Sequence, residues 1–178
     1  MNPEVWNHIV MRYIPILVTA ALSFAAPLAF TGPLMAAEDL EAKITEKQVT
    51  TLVETTCEAL QKDAAATLAA INKGAAPFKD SANPALYAFV YDLDVKLIAH
   101  PKPDLVGKSM KGKPDLKGRK FRDEIVEKAQ KEQTGWVDYL YQKPGESGIY
   151  EKTTYFEFTK GSDGASYVVC SGKYRDKK

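Results

Sequence analysis

The chain has 178 residues, with 24 basic against 23 acidic side chains, two histidines and two cysteines. A net charge of +1 argues against a nucleic-acid grip built on phosphate neutralisation. With 11 glycines and 10 prolines the composition is not fibrous or low-complexity, and the length suits one core plus an extra segment.

The extra segment comes first. Residues 11–37, MRYIPILVTAALSFAAPLAFTGPLMAA, carry one positive charge near their start, then an apolar run, then small residues ahead of EDLEAK. This is the plan of a secretory signal peptide spanning 1–37, with cleavage expected after Ala37 and Ala36 as the alternative. MNPEVWNHIV is unlike an n-region, which makes Met11 a second candidate start. The run is long enough to span a bilayer, but Pro15, Pro27, Gly32 and Pro33 interrupt it and favour cleavage over a retained anchor. Either way the domain of residues 38–176 is expected outside the cytoplasm, periplasmic or secreted. Such a compartment permits a disulfide between Cys57 and Cys170. Two buried free thiols are the alternative, because spacing cannot show whether the two residues meet.

Residues 38–73 read as one long helix. Leu40, Ile44, Val49, Leu52, Val53, Leu60, Ala64, Leu68 and Ile71 recur at steps of three and four, with Cys57 on the same stripe, and Gly74 and Pro77 stop it. The period then changes. ALYAFVYD and VKLIAH read as strands around a tight turn, with Tyr87, Phe89 and Tyr91 on one face and Leu86, Ala88 and Val90 on the other. Both faces are apolar, so the first strand is expected to be central and covered on both sides. Asp92 and Asp94 suit the turn and need no metal.

PKPDLVGKSMKGKPDLKGRK has too many prolines and glycines for a long element. It is expected to be a loop pinned by Leu105, Val106, Met110 and Leu116. Its lysines read as a solvated surface, with anionic lipid or a partner protein as the other reading. A second helix follows, with Phe121, Ile125, Val126 and Ala129 inward and Gly135 as its stop. WVDYLYQK, IYEKTTYFEFTK and ASYVVCSGKY are strands joined by the turns PGESG and GSDG. The whole is α+β: a five-stranded antiparallel sheet with a long N-terminal helix on one face and a loop plus short helix on the other.

The order and spacing of FVYDLDVKLIAHPKPDLVGKSM, GWVDYLYQKPGE, KTTY and YVVCSGKY behind the long helix resemble a free-standing single Cache domain. The resemblance covers nearly all of the chain after residue 37. It implies an extracytoplasmic sensor module with a PAS-like sheet that binds a small ligand, often an amino acid or a short carboxylic acid. Two positions depart from the pattern: Val95 stands where glycine is common and Tyr141 where tryptophan is common. Receptors of the family continue into a membrane helix and a signalling domain. This chain is expected to bind without signalling itself, and to report to a membrane receptor, kinase or transporter.

His100 ends the second strand and can donate to a carboxylate oxygen. The resemblance puts Lys152 where its ammonium can neutralise an anionic ligand. Tyr139 and Tyr141 alternate onto one face, as do Tyr87 and Phe89, and such rings offer apolar walls and orienting hydroxyls. Trp136 is assigned to core or rim. These residues suit acetate, propionate, pyruvate or lactate, with no cofactor and no metal. The chain lacks GxSxG, HExxH, a phosphate loop and a nucleotide fingerprint, so no enzyme is expected. The alternative is an interaction module that docks on a membrane protein without a small ligand of its own.

Overall fold

The computed structural model describes residues 43–143 and 147–175. The signal-peptide segment, residues 38–42 of the expected first helix, part of the PGESG turn and the last three residues lie outside the described residues.

Helix α1 (Glu46–Lys62) starts at a capping box. Thr45 Oγ1 accepts from the Gln48 N–H at 3.2 Å, and Gln48 Oε1 accepts from the Thr45 N–H at 2.8 Å. The expected single helix is interrupted at Asp63. That residue is extended, with φ −153° and ψ 94°; it closes α1 and caps α2 (Ala64–Asn72), its Oδ1 accepting from the Ala66 N–H at 2.9 Å. The break has a local cause and a tertiary one. Aspartate competes with helix by bonding nearby backbone N–H groups. The Ala64 N–H, which an unbroken helix would use itself, donates to Ser162 Oγ at 2.9 Å across the domain.

The sheet is antiparallel in the order β2-β1-β5-β4-β3, the PAS-like arrangement that the resemblance implies. Its strands are β1 (Phe89–Tyr91), β2 (Leu97–Ala99), β3 (Thr134–Gln142), β4 (Ile149–Lys160) and β5 (Ser166–Tyr174). The period-2 reading of the first strand holds on both faces. Leu86, Ala88 and Val90 are buried in the cluster beneath α1, and Tyr87, Phe89 and Tyr91 in the cluster on the other side. Only residues 89–91 ladder as strand, since residues before them make a single bridge, Lys79 to Tyr87. Val95 in the β1–β2 turn has φ +60°, a conformation that a β-branched residue rarely takes and glycine takes freely.

The second apolar cluster is closed by α3 (Phe121–Glu132), whose buried residues are Phe121, Ile125, Val126 and Ala129, the inward set expected. The helix ends at Gln133, φ +69°, ahead of Gly135, and β3 has already begun at Thr134. Gly135 serves packing instead: a Cβ there would lie 2.8 Å from the Phe156 ring. The loop of residues 101–120 contains a short 3-10 turn (Pro103–Leu105). Met110 is buried, and Leu105 and Val106 are half-buried, but Leu116 is 74% exposed and anchors nothing.

Of the two readings left open for Cys57 and Cys170, the structure has the second: both are free and buried, with no disulfide between them. The reason is strand alternation. Cys57 faces the sheet from α1, whereas Cys170 shares its face of β5 with Val168 and points into the opposite cluster.

Candidate functional site

The face of the sheet away from α1 carries a small cavity of about 30 Å³. It is lined by Tyr87, Phe89, Tyr91, Leu97, His100, Leu105, Met110, Phe121, Arg122, Tyr139, Tyr141 and Lys152. All six residues singled out in the sequence lie on it. They converge because each stands on the same side of its strand: Tyr87 and Phe89 before and on β1, Tyr139 and Tyr141 on β3, Lys152 on β4. His100 follows β2 directly.

Lys152 is the largest fully buried side chain among the described residues, 2% exposed. Its Nζ lies 5.0 Å from the centre of the Tyr174 ring, 5.1 Å from Tyr87, 5.7 Å from Tyr141 and 5.8 Å from Phe89. Ring faces carry negative charge density, so this cage favours a cation. Nζ also stands 3.5 Å from Tyr87 Oη, at the outer limit for donating to it.

His100 is held through both its backbone and its ring. Its N–H donates to Asn72 Oδ1 at 2.9 Å, which ties the end of β2 to the end of α2. Two residues on, the Lys102 N–H donates to Nδ1 at 2.8 Å. Burial first, then the charges of Lys152 and Lys102, lower its pKa to about 4, so the ring is neutral at pH 7. With Nδ1 accepting, the proton sits on Nε2, and that N–H is the polar group the ring has left for a ligand.

Tyr139 contributes a wall. Its hydroxyl is paired with Thr154 Oγ1 at 2.8 Å, burial raises its pKa well above the ordinary range, and its ring stacks on Phe121 at 3.7 Å. Tyr141 lies edge-on to both rings, 6.2 Å from Phe121 and 6.0 Å from Tyr139.

The sequence reading missed Arg122. Its guanidinium sits 4.1 Å above the Phe121 ring and 5.7 Å from Tyr141, which adds a second cation to the lining. Nothing in the pattern marked it, since an arginine in the first turn of an amphipathic helix normally points to water. Tyr91 was legible from the alternation that picked out Tyr87 and Phe89. Trp136 is neither rim nor wall: it packs beside Tyr155 on the α1 face, ring centres 5.2 Å apart. Asp92 serves the turn, its Oδ1 accepting from the N–H groups of Asp94 and Lys96 at 2.9 and 2.8 Å.

A larger hollow of about 590 Å³ opens between α1 and residues 76–86. It is a shallow groove lined by Thr45, Gln48, Thr51, Pro77 and their neighbours, with no buried charge. Convergent polar groups in a desolvated setting mark a ligand site better than volume does, and they select the smaller cavity.

A family model for the Cache domain matches residues 44–177. Three solved structures are similar. One is a periplasmic sensor domain of a chemotaxis protein, with TM-score 0.56 and 24% identity over 82% of this chain and 100% of that one. Another is a Cache chemosensory domain studied for its carboxylic acid recognition, with TM-score 0.58 and 25% identity over 79% and 99%. The third is a methyl-accepting chemotaxis protein from Vibrio parahaemolyticus RIMD 2210633, with TM-score 0.55 and 17% identity over 72% and 86%. A comparison with curated proteins returns no match. Among the described residues no helix is long and apolar enough to cross a membrane.

Proposed function

The chain belongs to the Cache domain family, whose members are sensory ligand-binding modules, and from that premise we propose that it is an exported sensor module for a small organic acid. The observation that carries the proposal is the Lys152 ammonium, buried in the wall of the cavity and ringed by four aromatic side chains. A carboxylate oxygen meeting it would form a charge-assisted bond that contributes about 1.5 to 3 kcal/mol. The His100 Nε2–H supplies a second donor, and Arg122 adds positive potential. Leu97, Leu105, Met110 and Phe121 suit a short alkyl end.

The size of the cavity sets the scale. About 30 Å³ holds roughly two water-sized groups. Acetate is therefore nearest in size among acetate, propionate, pyruvate and lactate, and the longer acids require Leu105 and Met110 to give way. The similar Cache chemosensory domain studied for carboxylic acid recognition supports an acid as the class of ligand. Export is part of the same reading, supported by the leader pattern of residues 11–37 and by the periplasmic setting of the similar sensor domain.

A thermal-shift panel tests the proposal. Acetate, propionate, pyruvate and lactate are compared with acetamide, ethylamine and the amino acids at matched ionic strength. At about 100 times Kd a true ligand adds about 2.7 kcal/mol of stability. At least one acid raises the midpoint while acetamide does not; a flat response to every small anion and amino acid rejects the reading.

A further inference from the structure

The loop that roofs the cavity has an outer surface that ligand binding does not use. Between residues 108 and 120 stand Lys108, Lys111, Lys113, Lys117 and Lys120, all exposed, and among the described residues none of them takes an ion pair. The acidic groups around them are engaged elsewhere. Asp115 accepts from the N–H groups of Lys117, Arg119 and Leu140, at 2.8, 2.9 and 3.0 Å. Asp123 accepts from the Gly112 N–H, and Glu124 pairs with Arg119 and Lys128.

The backbone presents this charge on two turn tips. One closes with Lys113 N–H donating to the Met110 carbonyl at 3.2 Å and puts Lys111 at its crest. The other closes with Gly118 N–H on the Asp115 carbonyl at 3.0 Å and puts Leu116 and Lys117 at its crest. Leu116 at 74% is the most exposed large apolar side chain among the described residues. A single exposed leucine is ordinary on a protein surface; what sets Leu116 apart is its place at the crest of a turn among five exposed lysines.

We propose that this surface docks on an anionic phospholipid membrane, with Leu116 entering the headgroup region and the five lysines paired to lipid phosphates. The composition favours a bilayer over a protein partner. Protein interfaces have an apolar centre and are depleted in lysine, whereas here one leucine stands alone among lysines. A polybasic segment with an apolar side chain at its tip is the pattern of a reversible membrane-surface contact.

The test places an environment-sensitive fluorophore at Leu116→Cys in the full chain. Cys57 and Cys170 are buried and do not compete for label. Glu58→Cys, exposed on α1, is the control position. Phosphatidylglycerol vesicles should blue-shift the label at position 116 but not at 58, and phosphatidylcholine vesicles should shift neither. Because both variants keep residues 1–42, any membrane affinity of that segment is common to them. Each lysine neutralised should weaken the partition coefficient about fivefold, and raised salt should weaken it further. The triple change Lys111→Glu, Lys113→Glu, Lys117→Glu should abolish the shift with the thermal midpoint unchanged. No shift at 116, an equal shift at 58 or with phosphatidylcholine, or a shift that survives charge reversal overturns the proposal. So does a response to soluble polyglutamate without one to vesicles, which would assign the surface to an acidic protein.

Discussion

The Lys102 backbone N–H donates to His100 Nδ1 at 2.8 Å, so the neutral ring carries its proton on Nε2. The same burial that protects this bond sets an acid limb. His100 is lowered from 6.5 to about 4. Between those values the unfolded chain takes up a proton that the folded chain refuses, so stability falls as pH falls. By pH 4 the loss from this group is about 3 kcal/mol, and it vanishes above pH about 6.5. Glu157, raised by burial, works in the opposite direction and offsets part of it. Urea unfolding of wild type and His100→Asn at pH 7, 5 and 4 isolates the histidine: the variant should lose less stability on acidification, whatever its stability at pH 7.

Lys152→Met keeps the length and apolar stem of the side chain and removes the charge. It should leave a cooperative thermal transition in the ligand-free protein and weaken binding of the responsive acid by about 10- to 150-fold, the equivalent of one charge-assisted bond. Titration calorimetry measures it. Trp136 fluorescence should not report the same event, because that ring lies on the α1 face of the sheet.

The two thiols should behave as core residues. Burial pushes both well above the ordinary thiol range, so a thiol reagent should modify neither at pH 8 in the native state and both in denaturant. The thermal midpoint should be indifferent to reductant.

Gly172 sits opposite Thr154 on β4. A Cβ there would come within 2.5 Å of both the Thr153 carbonyl oxygen and Thr154 Oγ1, and 3.1 Å from Lys152 Cε. The bare backbone is therefore what lets the lysine stem lie across β5. Gly172→Ala should destabilise by about 1 to 3 kcal/mol and weaken acid binding as well, a pairing that a plain packing defect elsewhere would not produce.

Asp63→Ala removes the cap of α2 and should lower stability by about 1 kcal/mol. Far-UV circular dichroism should show no compensating gain of helix, because Ser162 still takes the Ala64 N–H.

Much of this protein was present in its residue order. Alternation on the first strand assigned Leu86, Ala88 and Val90 to one face and Tyr87, Phe89 and Tyr91 to the other, and the 3.6-residue stripe of α3 named its four buried residues. These patterns are local, since strand and helix periods follow from backbone geometry alone. The pairs Tyr87 with Phe89 and Tyr139 with Tyr141 were legible by the same alternation, whereas Lys152 was placed beside them only by the resemblance to the Cache family and His100 by its position at the end of the second strand. Three matters were settled only when the elements packed. The break at Asp63, which that residue's own capping bond favours, was fixed when a serine remote in sequence captured its neighbour's N–H. Cys57 and Cys170 stayed apart because the sheet itself lies between them. Arg122 joined the lining because Phe121 and Tyr141 offered it ring faces. The Ala64–Ser162 bond and the Arg122–Tyr141 contact join residues distant along the chain, and the separation of the thiols follows from which side of the sheet α1 packs on; no local period encodes any of these.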